Sequence, residues 1–260
     1  MRAHRLVDSI DAPTRERFAR EYEASATPVV LRGVATSWPA MERWSLDRLA
    51  REHGDLRVLA ARLDRGAVVM DARRGLEHAP VTLGAFLEAL RGGARDRYVS
   101  TPLAELPPTL ARDAPLPPYC DGASWHDGNL WIGADGTTSG LHFDVADNFH
   151  AVVSGRKRFV LAPPRQSASL YPNGPLHGVP NGARVDLERP DFERFPRMRD
   201  ASPVVAELGP GDLLYIPSMW WHQAHSDDVS ISINLWWAKG PFVAILRAAE
   251  AFMRLRDLKL

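Results

Sequence analysis

The sequence predicts a mainly β fold with flanking helices, and three observations indicate it. Residues 123–240 consist of short apolar or alternating runs separated by Gly, Pro, Asp and Ser, a texture typical of a sandwich or jelly-roll barrel. Residues 1–122 mix helical and strand patterns, and residues 241–260 place apolar residues on one helical face. We therefore expect an α/β support region, a barrel core and a C-terminal helix, in that order.

Capping residues predict helices in the support region. Ser45 and Thr82 each precede an amphipathic run, WSLDRLAREHG and VTLGAFLEALRGG, that ends in glycine. Asp11, followed by Pro13, is the expected cap of the first helix. The runs TPVVLRG and DRYVS predict strands, and the proline-rich segment 106–122 predicts an irregular connector.

Seven runs predict the strands of the barrel core. They are NLWIG, GLHFD, FHAVV, KRFVLA, VVAEL, DLLYIP and VSISINLWW. The segment 173–200 interrupts them with four prolines and little periodicity. A segment of this length is typical of a lid or binding loop, and plain disorder is the alternative interpretation.

Composition argues against several classes of protein. Lys and Arg number 32, as do Asp and Glu, so no overall field attracts the chain to nucleic acid or to an anionic membrane. Cys120 is the single cysteine, which excludes a disulfide framework and a thiolate zinc cluster. The sequence has no apolar run near the roughly 18 residues of a spanning helix and no signal-peptide core at its start. We expect a soluble, cytoplasmic protein without a membrane or nucleic-acid partner.

Two histidines and one aspartate predict a metal site. His142 and Asp144 are two residues apart, so on a strand both side chains point to one face. His222 is the expected third ligand, and His225, which would face oppositely on extended backbone, is the competing one. Two His and one carboxylate on one side of an ion form the facial triad typical of non-haem Fe(II) oxygenases. For the first pair alone, a surface His bonded to a neighbouring carboxylate is the alternative interpretation.

Lys157 predicts an anion site beside this metal. It begins an apolar strand after the turn VSGR, which would return the chain antiparallel and let the ammonium point inward. A solvated charge beside a turn is the alternative interpretation. The anion would be the distal carboxylate of a metal-bound 2-oxo acid, to which Ser139 could also donate. Asn148 and Asn234 could donate amides to the metal-proximal carboxylate, although strand asparagines are often satisfied by backbone.

The order of these motifs resembles that of the JmjC-type, cupin-like Fe(II)/2-oxoglutarate dioxygenases. The likeness is strongest to the hydroxylase branch that includes factor-inhibiting HIF and small bacterial cupin-like proteins. It runs from PVVLRGVATSWPAMERW through NLWIGADGTTSGLHFDVADNFHAVVSGRKRFVLAPP to LGPGDLLYIPSMWWHQAHS and SISINLWW. The resemblance implies one domain over 1–260, built on a double-stranded β-helix. It implies Fe(II) bound by His142, Asp144 and His222, with 2-oxoglutarate and O₂ as cosubstrates.

The resemblance also implies roles for residues around the cosubstrate. Lys157 would pair with the distal carboxylate of 2-oxoglutarate, Tyr98 would reach the same group, and Trp236 would line the pocket. The other residues implied near cosubstrate and metal are Asn148, Asn234 and Ser139, the last at a position where threonine is also common. The lysine spacing, and Asp144 where histone demethylases usually have Glu, are typical of the hydroxylase branch.

The implied activity is hydroxylation of a protein or peptide side chain, with succinate and CO₂ as coproducts. The alternatives are the same chemistry on a small-molecule metabolite or a tRNA base, a non-catalytic metal-binding cupin, or a Zn(II) protein. Arginines of segment 173–200 either contact an acidic or peptide substrate or are simply solvated: Arg184, Arg189, Arg194, Arg197 and Arg199.

The apolar stripe of the C-terminal helix predicts a packing surface. Packing on the chain's own flank and homodimerisation are its two interpretations. The stripe comprises Phe242, Ile245, Leu246, Ala249, Phe252 and Met253.

Overall fold

Two β-sheets of unequal size face each other in the computed structural model, which describes residues 5–71, 75–241, 243–244 and 246–248. The strands are β1 Arg5–Leu6, β2 Asp8–Asp11, β3 Val29–Arg32, β4 Arg57–Asp64, β5 Ala67–Val68, β6 Met70–Asp71, β7 Gly75–Leu76, β8 His78–Thr82, β9 Arg97–Pro102, β10 Trp125–Gly133, β11 His142–Phe143, β12 Asp147–Ser154, β13 Lys157–Ala162, β14 Val204–Leu208, β15 Leu213–Ile216, β16 Trp221–Ser226 and β17 Ser230–Ala238. The α-helices are α1 Arg15–Phe18, α2 Ala40–Arg43, α3 Leu46–His53, α4 Leu83–Arg91 and α5 Pro108–Ala111. A π-helical turn, Ala19–Glu23, follows α1, and the 3₁₀ turns are Leu103–Glu105, Pro118–Cys120, Pro164–Ser169 and Pro196–Asp200.

The larger sheet has ten strands in the order β2-β3-β15-β12-β17-β10-β9-β4-β5, with β8 paired to β4. The smaller sheet has five, in the order β1-β14-β13-β16-β11. From β10 to β17 the chain crosses between the two sheets at nearly every connection, and the strands of this part pair antiparallel. This winding is a double-stranded β-helix, so the predicted jelly-roll class is confirmed.

The main apolar core lies between the larger sheet and the N-terminal helices. Phe149 of β12 and Trp237 of β17 point into it, and Phe18 and Trp44 meet them from the helical side. Alternate residues of the same strands point the other way, toward the smaller sheet. One face of the larger sheet therefore stabilises the fold, while the other is free to carry chemistry.

The space between the sheets is apolar on one side and polar on the other. Val152 and Leu214 of the larger sheet pack against Phe159 and Leu161 of the smaller sheet on the apolar side. Buried polar side chains of the opposing strands include Ser100, Asn148, His150, Lys157, His222, Ser226, Ser230, Ser232 and Asn234. Burying polar groups costs free energy unless they are hydrogen-bonded, so such a concentration marks a functional interior.

Local capping signals are confirmed for two of the three predicted helices. Ser45 caps α3 and Thr82 caps α4, each accepting a hydrogen bond from a backbone N–H. The predicted cap Asp11 is wrong, because this residue ends β2, where it pairs with Arg32, and Thr14 caps α1. Strand pairing with β3 thus overrides a favourable local cap. Strands β4 to β8 carried no sequence prediction.

The C-terminal helix is described only at its start. Residues 243–244 and 246–248 are helical, and Val243 and Leu246 are buried beside Ala146 and Ala238. The rest of the predicted stripe lies outside the described residues, so the homodimer and the domain bounds at 122 and 240 stay predictions. No helix among the residues described is long and apolar enough to cross a membrane.

Candidate metal centre

Strands β11 and β16 bring two histidines together. His142 and His222 stand directly opposite each other in the antiparallel pair, with ring centroids 4.3 Å apart. Asp144 follows β11, and its carbonyl accepts a hydrogen bond of 2.7 Å from the Met219 N–H in the turn before β16. Potential ligand atoms of the three side chains lie within 4.8 Å of one another. His222 thus meets a pair of residues that lies about 80 positions earlier in the chain.

Hydrogen bonds leave one nitrogen of each imidazole directed at Asp144. His142 Nδ1 lies 2.9 Å from the Gly140 carbonyl oxygen, and His222 Nδ1 lies 3.0 Å from that of Trp220. Because a carbonyl only accepts, each Nδ1 carries the proton and each Nε2 presents a lone pair. These Nε2 atoms lie 4.0 and 3.5 Å from carboxylate oxygens of Asp144. Carbonyl-bonded Nδ1 atoms of this kind are typical of metal-ligating histidines.

Two further side chains orient the carboxylate. Asn148 Nδ2 donates to Asp144 Oδ2 at 3.0 Å, and the Trp236 indole N–H donates to the same oxygen at 2.7 Å. The other oxygen, Oδ1, receives neither bond and is available to an ion. The sequence predicted both residues to lie around the cosubstrate. It did not predict their hydrogen bonds to Asp144, which the structure shows. Such supporting bonds fix the direction of a metal ligand.

The competing ligand His225 faces away from this site. It lies on the outer face of β16, with Nδ1 3.4 Å from Glu188 Oε2 and Nε2 3.6 Å from Asp227 Oδ1. Alternation along an extended strand is the reason, since residues three apart point to opposite sides. His225 therefore lies on the opposite face of β16 from His222, away from the other two ligand residues.

Lys157 points into the interior without an anionic partner. Its side chain is 1% exposed, and Nζ donates to the hydroxyls of Tyr98 at 2.9 Å and Ser232 at 3.0 Å. In the described part of the chain it forms no salt bridge. Burial lowers the pKa of Lys157 to about 7, because desolvation disfavours the charged form. A buried ammonium with only neutral partners is suited to an incoming carboxylate.

Two glycines provide the space that this arrangement needs. Gly155, with φ of +76°, makes the turn before Lys157, and a Cβ there would lie 2.4 Å from the Val229 carbonyl oxygen. A Cβ on Gly133 would lie 2.4 Å from the ring of Tyr98. Burial raises the pKa of that tyrosine, which therefore stays a neutral hydroxyl. Its oxygen accepts from the lysine, and its own hydrogen is left to donate.

Asn234 is buried in the same interior, whereas Ser139 is partly buried and lies beside the backbone of β16. Ser139 Oγ accepts a hydrogen bond of 2.9 Å from the Ala224 N–H and keeps its hydrogen to donate. Asn234 Oδ1 accepts from the Trp131 indole at 2.6 Å, and its Nδ2 lies 3.5 Å from Asn148 Oδ1. The asparagines therefore belong to a bonded network that ends at the acidic ligand.

Sequence reasoning missed two interior residues, Ser232 and His150, and took Trp131 first as a core residue. Trp131 stacks on Tyr98 with ring centroids 5.4 Å apart and bonds Asn234, while Ser232 accepts from the buried lysine. His150 is 5% exposed. Strand spacing was the available signal. Each of the three lies two residues away either from a position that was predicted to face inward or from the strand partner of such a position.

Fold and site together define a class: a double-stranded β-helix whose interior holds a facial triad of two His and one carboxylate, as in non-haem Fe(II) oxygenases. Residues 15–241 match the family described as the cupin-like domain, and the chain belongs to that family.

Curated relatives place it among the JmjC-type members. The chain is 32% identical over 241 residues to Lysine-specific demethylase 8 of Xenopus tropicalis, covering 89% of this chain and 53% of that protein. It is 32% identical over 231 residues to Lysine-specific demethylase JMJ30 of Arabidopsis thaliana, covering 86% and 52%. It is 31% identical over 256 residues to tRNA wybutosine-synthesizing protein 5 of Gallus gallus, covering 90% and 78%. The chain spans about half the length of these two demethylase relatives.

The predicted resemblance and its cofactors are thereby confirmed: Fe(II), 2-oxoglutarate and O₂ are those of the JmjC-type oxygenases. The residues present fit them. His142, Asp144 and His222 offer three ligand atoms from one side of an ion, and Lys157 offers a buried cation to the far end of a dicarboxylate.

Proposed function

We propose that this chain is an Fe(II)- and 2-oxoglutarate-dependent hydroxylase acting on a protein or peptide side chain, with succinate and CO₂ as coproducts. The observation that carries the proposal is the convergence of His142, Asp144 and His222 in the interior that also holds the buried ammonium of Lys157. Bound Fe(II) supplies the oxidative chemistry that decarboxylates a 2-oxo acid and hydroxylates a C–H bond.

The chain's own residues would bind, orient and exclude water. The triad would hold the ion with three ligand atoms and would leave its remaining positions to cosubstrate and O₂. The third proton of the Lys157 ammonium and the hydroxyl hydrogen of Tyr98 would both bind the distal carboxylate of 2-oxoglutarate. Asn148 and Trp236 would keep the carboxylate of Asp144 directed at the ion.

Two lines support a side chain as the substrate. Relatives named as lysine-specific demethylases indicate chemistry on an amino-acid side chain. The second line is the resemblance to the hydroxylase branch, which implies an aspartate at the position of Asp144. The segment 173–200 borders the triad, because the Phe143 N–H donates to the Asn181 carbonyl at 3.0 Å and His142 forms a backbone bridge with Gly182. A segment in that place would contact a bound peptide.

A tRNA base is the second candidate substrate, and two observations favour it. The chain covers 78% of the tRNA wybutosine-synthesizing relative, more than of either demethylase. The balanced net charge argued against nucleic acid, but the segment next to the triad has local cations: Arg184 and Arg197 lie over the Tyr171 ring at 5.8 and 4.4 Å. Arginine and aromatic groups together are also suited to stacking with bases.

The first experiment measures conversion of 2-oxoglutarate to succinate under O₂ with added Fe(II), without prime substrate. Asp144→Ala should abolish it, whereas the control His225→Ala, on the outer face of the small sheet, should leave it unchanged. Equal rates in wild type and Asp144→Ala would contradict the proposal.

Mass spectrometry of a lysate peptide pool and of bulk tRNA, incubated separately, should then find a +16 Da product in the peptides. A product in tRNA alone would favour the second candidate.

A further inference from the structure

His150 is a buried imidazole for which the proposed site has given no role. The residue is 5% exposed, and its Nε2 is buried without a hydrogen-bond partner among the residues that the structure describes. Buried polar atoms are nearly always satisfied, and an exception is a reason to look for an absent ligand. Its environment decides which ligand that would be.

Strand register places His150 between the triad and the lysine. Three successive inward-facing pairs join β13 to β16. They are Leu161 with His222, Phe159 with Ala224, and Lys157 with Ser226. Phe159 therefore lies midway between the triad and Lys157. The His150 ring lies against Phe159, with centroids 4.7 Å apart in an edge-on contact. Each level is about 7 Å along the strand, because alternate residues share a face.

Residues of the larger sheet also place His150 midway between the triad and Lys157. On the larger sheet, His150 pairs with Asn234, while Asn148 one level up bonds Asp144. One level down, Ser232 accepts from the buried lysine. A dicarboxylate that reaches from the ion toward Lys157 has to pass the imidazole.

The imidazole is suited to donate there. Burial and the neighbouring Lys157 and His222 lower its pKa well below the ordinary value, so the ring is neutral and carries one N–H. A neutral donor beside an ammonium binds a carboxylate without adding repulsion between two cations.

We propose that His150 is a cosubstrate-binding residue whose imidazole N–H donates to the distal carboxylate of 2-oxoglutarate, alongside Lys157. The inference rests on the proposed function and adds a third binding group to Lys157 and Tyr98. It explains why an imidazole with an unpartnered nitrogen is buried at a level where the facing residues, Phe159 and Ala224, are apolar.

The test compares two ligands in Mn(II)-loaded protein by calorimetry: 2-oxoglutarate and 2-oxopentanoate, which has the same chain length without the distal carboxylate. His150→Phe keeps a ring and removes the donor. It should weaken 2-oxoglutarate binding about 10- to 100-fold, the effect of one hydrogen bond to a charged group. Binding of 2-oxopentanoate and of Mn(II) should stay within about twofold, and His150→Gln, which retains an N–H donor, should recover most of the loss. Equal losses for both ligands, or no loss, would overturn the inference.

A second measurement needs no variant. In wild-type protein with ¹⁵N-labelled histidine and Zn(II) as the diamagnetic ion, 2-oxoglutarate should move the His150 ring N–H proton downfield and 2-oxopentanoate should not. An unmoved resonance would overturn the inference. Failure of the wild type to bind 2-oxoglutarate at all would refute the proposed function, whereas binding that Lys157→Met weakens and His150→Phe does not would refute this inference alone.

Discussion

Replacing Lys157 with methionine should have two opposite effects, a more stable empty protein and weaker cosubstrate binding. Methionine has a similar length and no charge, so it fills the same space. The folded pKa of about 7, against 10.5 for the free side chain, shows what burial of the ammonium costs. At about 1.4 kcal/mol for each pKa unit, that cost is about 5 kcal/mol at neutral pH.

The variant also loses two hydrogen bonds, to the hydroxyls of Tyr98 and Ser232, each contributing about 1 kcal/mol. The expected net gain is therefore about 3 kcal/mol, or roughly 6–12 °C in Tm for a chain of this size. The sign follows from proton linkage, since the unfolded chain binds the proton below pH 10.5 and the folded chain only below about 7. Wild-type stability should fall relative to the variant from pH 10.5 to 7 and run parallel to it below.

Cosubstrate binding should change in the other direction. Without the ammonium, the distal carboxylate of 2-oxoglutarate would be buried without a cation beside it and with only neutral donors, a loss of about 3 kcal/mol or more. Calorimetry of Mn(II)-loaded protein should show Kd raised at least about 100-fold, with Mn(II) affinity unchanged.

Thermal unfolding of metal-free protein and this titration test the two effects together. Arg156→Met is the matched control, because it removes a neighbouring cation whose partner, Asp228, lies at the surface. A less stable Lys157→Met protein with unaltered Kd would refute the reasoning, since the lysine would then be a structural residue.

Three further predictions concern the pH dependence of cosubstrate binding, the indole that bonds Asp144 and the glycine that makes space for Tyr98. The Kd for 2-oxoglutarate should be constant below about pH 7 and rise up to tenfold per pH unit above it, because binding then requires proton uptake by Lys157; a flat titration to pH 9 would contradict this. Trp236→Phe should weaken Fe(II) binding about 10- to 100-fold by releasing Asp144 Oδ2, as measured by anaerobic equilibrium dialysis, whereas Trp220→Phe, whose indole bonds the distant Ala26 carbonyl, should not. Gly133→Ala should displace the Tyr98 ring and raise the Kd for 2-oxoglutarate more than that for 2-oxopentanoate. The control Gly92→Ala, at the end of α4, where φ is −69° and a Cβ would lie 3.4 Å from its nearest neighbour, should bind both ligands like the wild type. Equal effects of Gly133→Ala on both ligands would argue against a role for Tyr98 at the carboxylate.

Local patterns carried much of the prediction because parity along a strand is a local property. The spacing of His142 and Asp144 places both on one face, and the same rule separates His222 from His225 without coordinates. The glycine turn before Lys157 is also visible in the sequence, but the predicted antiparallel return beside the strand of His142 is wrong. At this turn the chain crosses to the smaller sheet, where β13 pairs antiparallel with β14 and β16.

Other contacts depend on which strands lie opposite each other, and no local pattern contains that information. The bond from Trp236 to Asp144 joins β17 to the residue after β11, and the space for Tyr98 depends on Gly133 of another strand. The failed cap at Asp11 has the same origin, because pairing with β3 extends β2 over it.

The sequence by itself determined the alternation of polar and apolar residues, most strands of the barrel core and the chemical identity of the ligands, because these follow from short-range sterics and side-chain type. Only the tertiary structure decided what those ligands contact. It paired β11 with β16 and brought Lys157 into the same interior as the triad. It also buried the Nε2 of His150 without a hydrogen-bond partner among the described residues. The physical reason is that register between distant strands is fixed by the burial of whole faces, a sum over many residues that no single motif encodes.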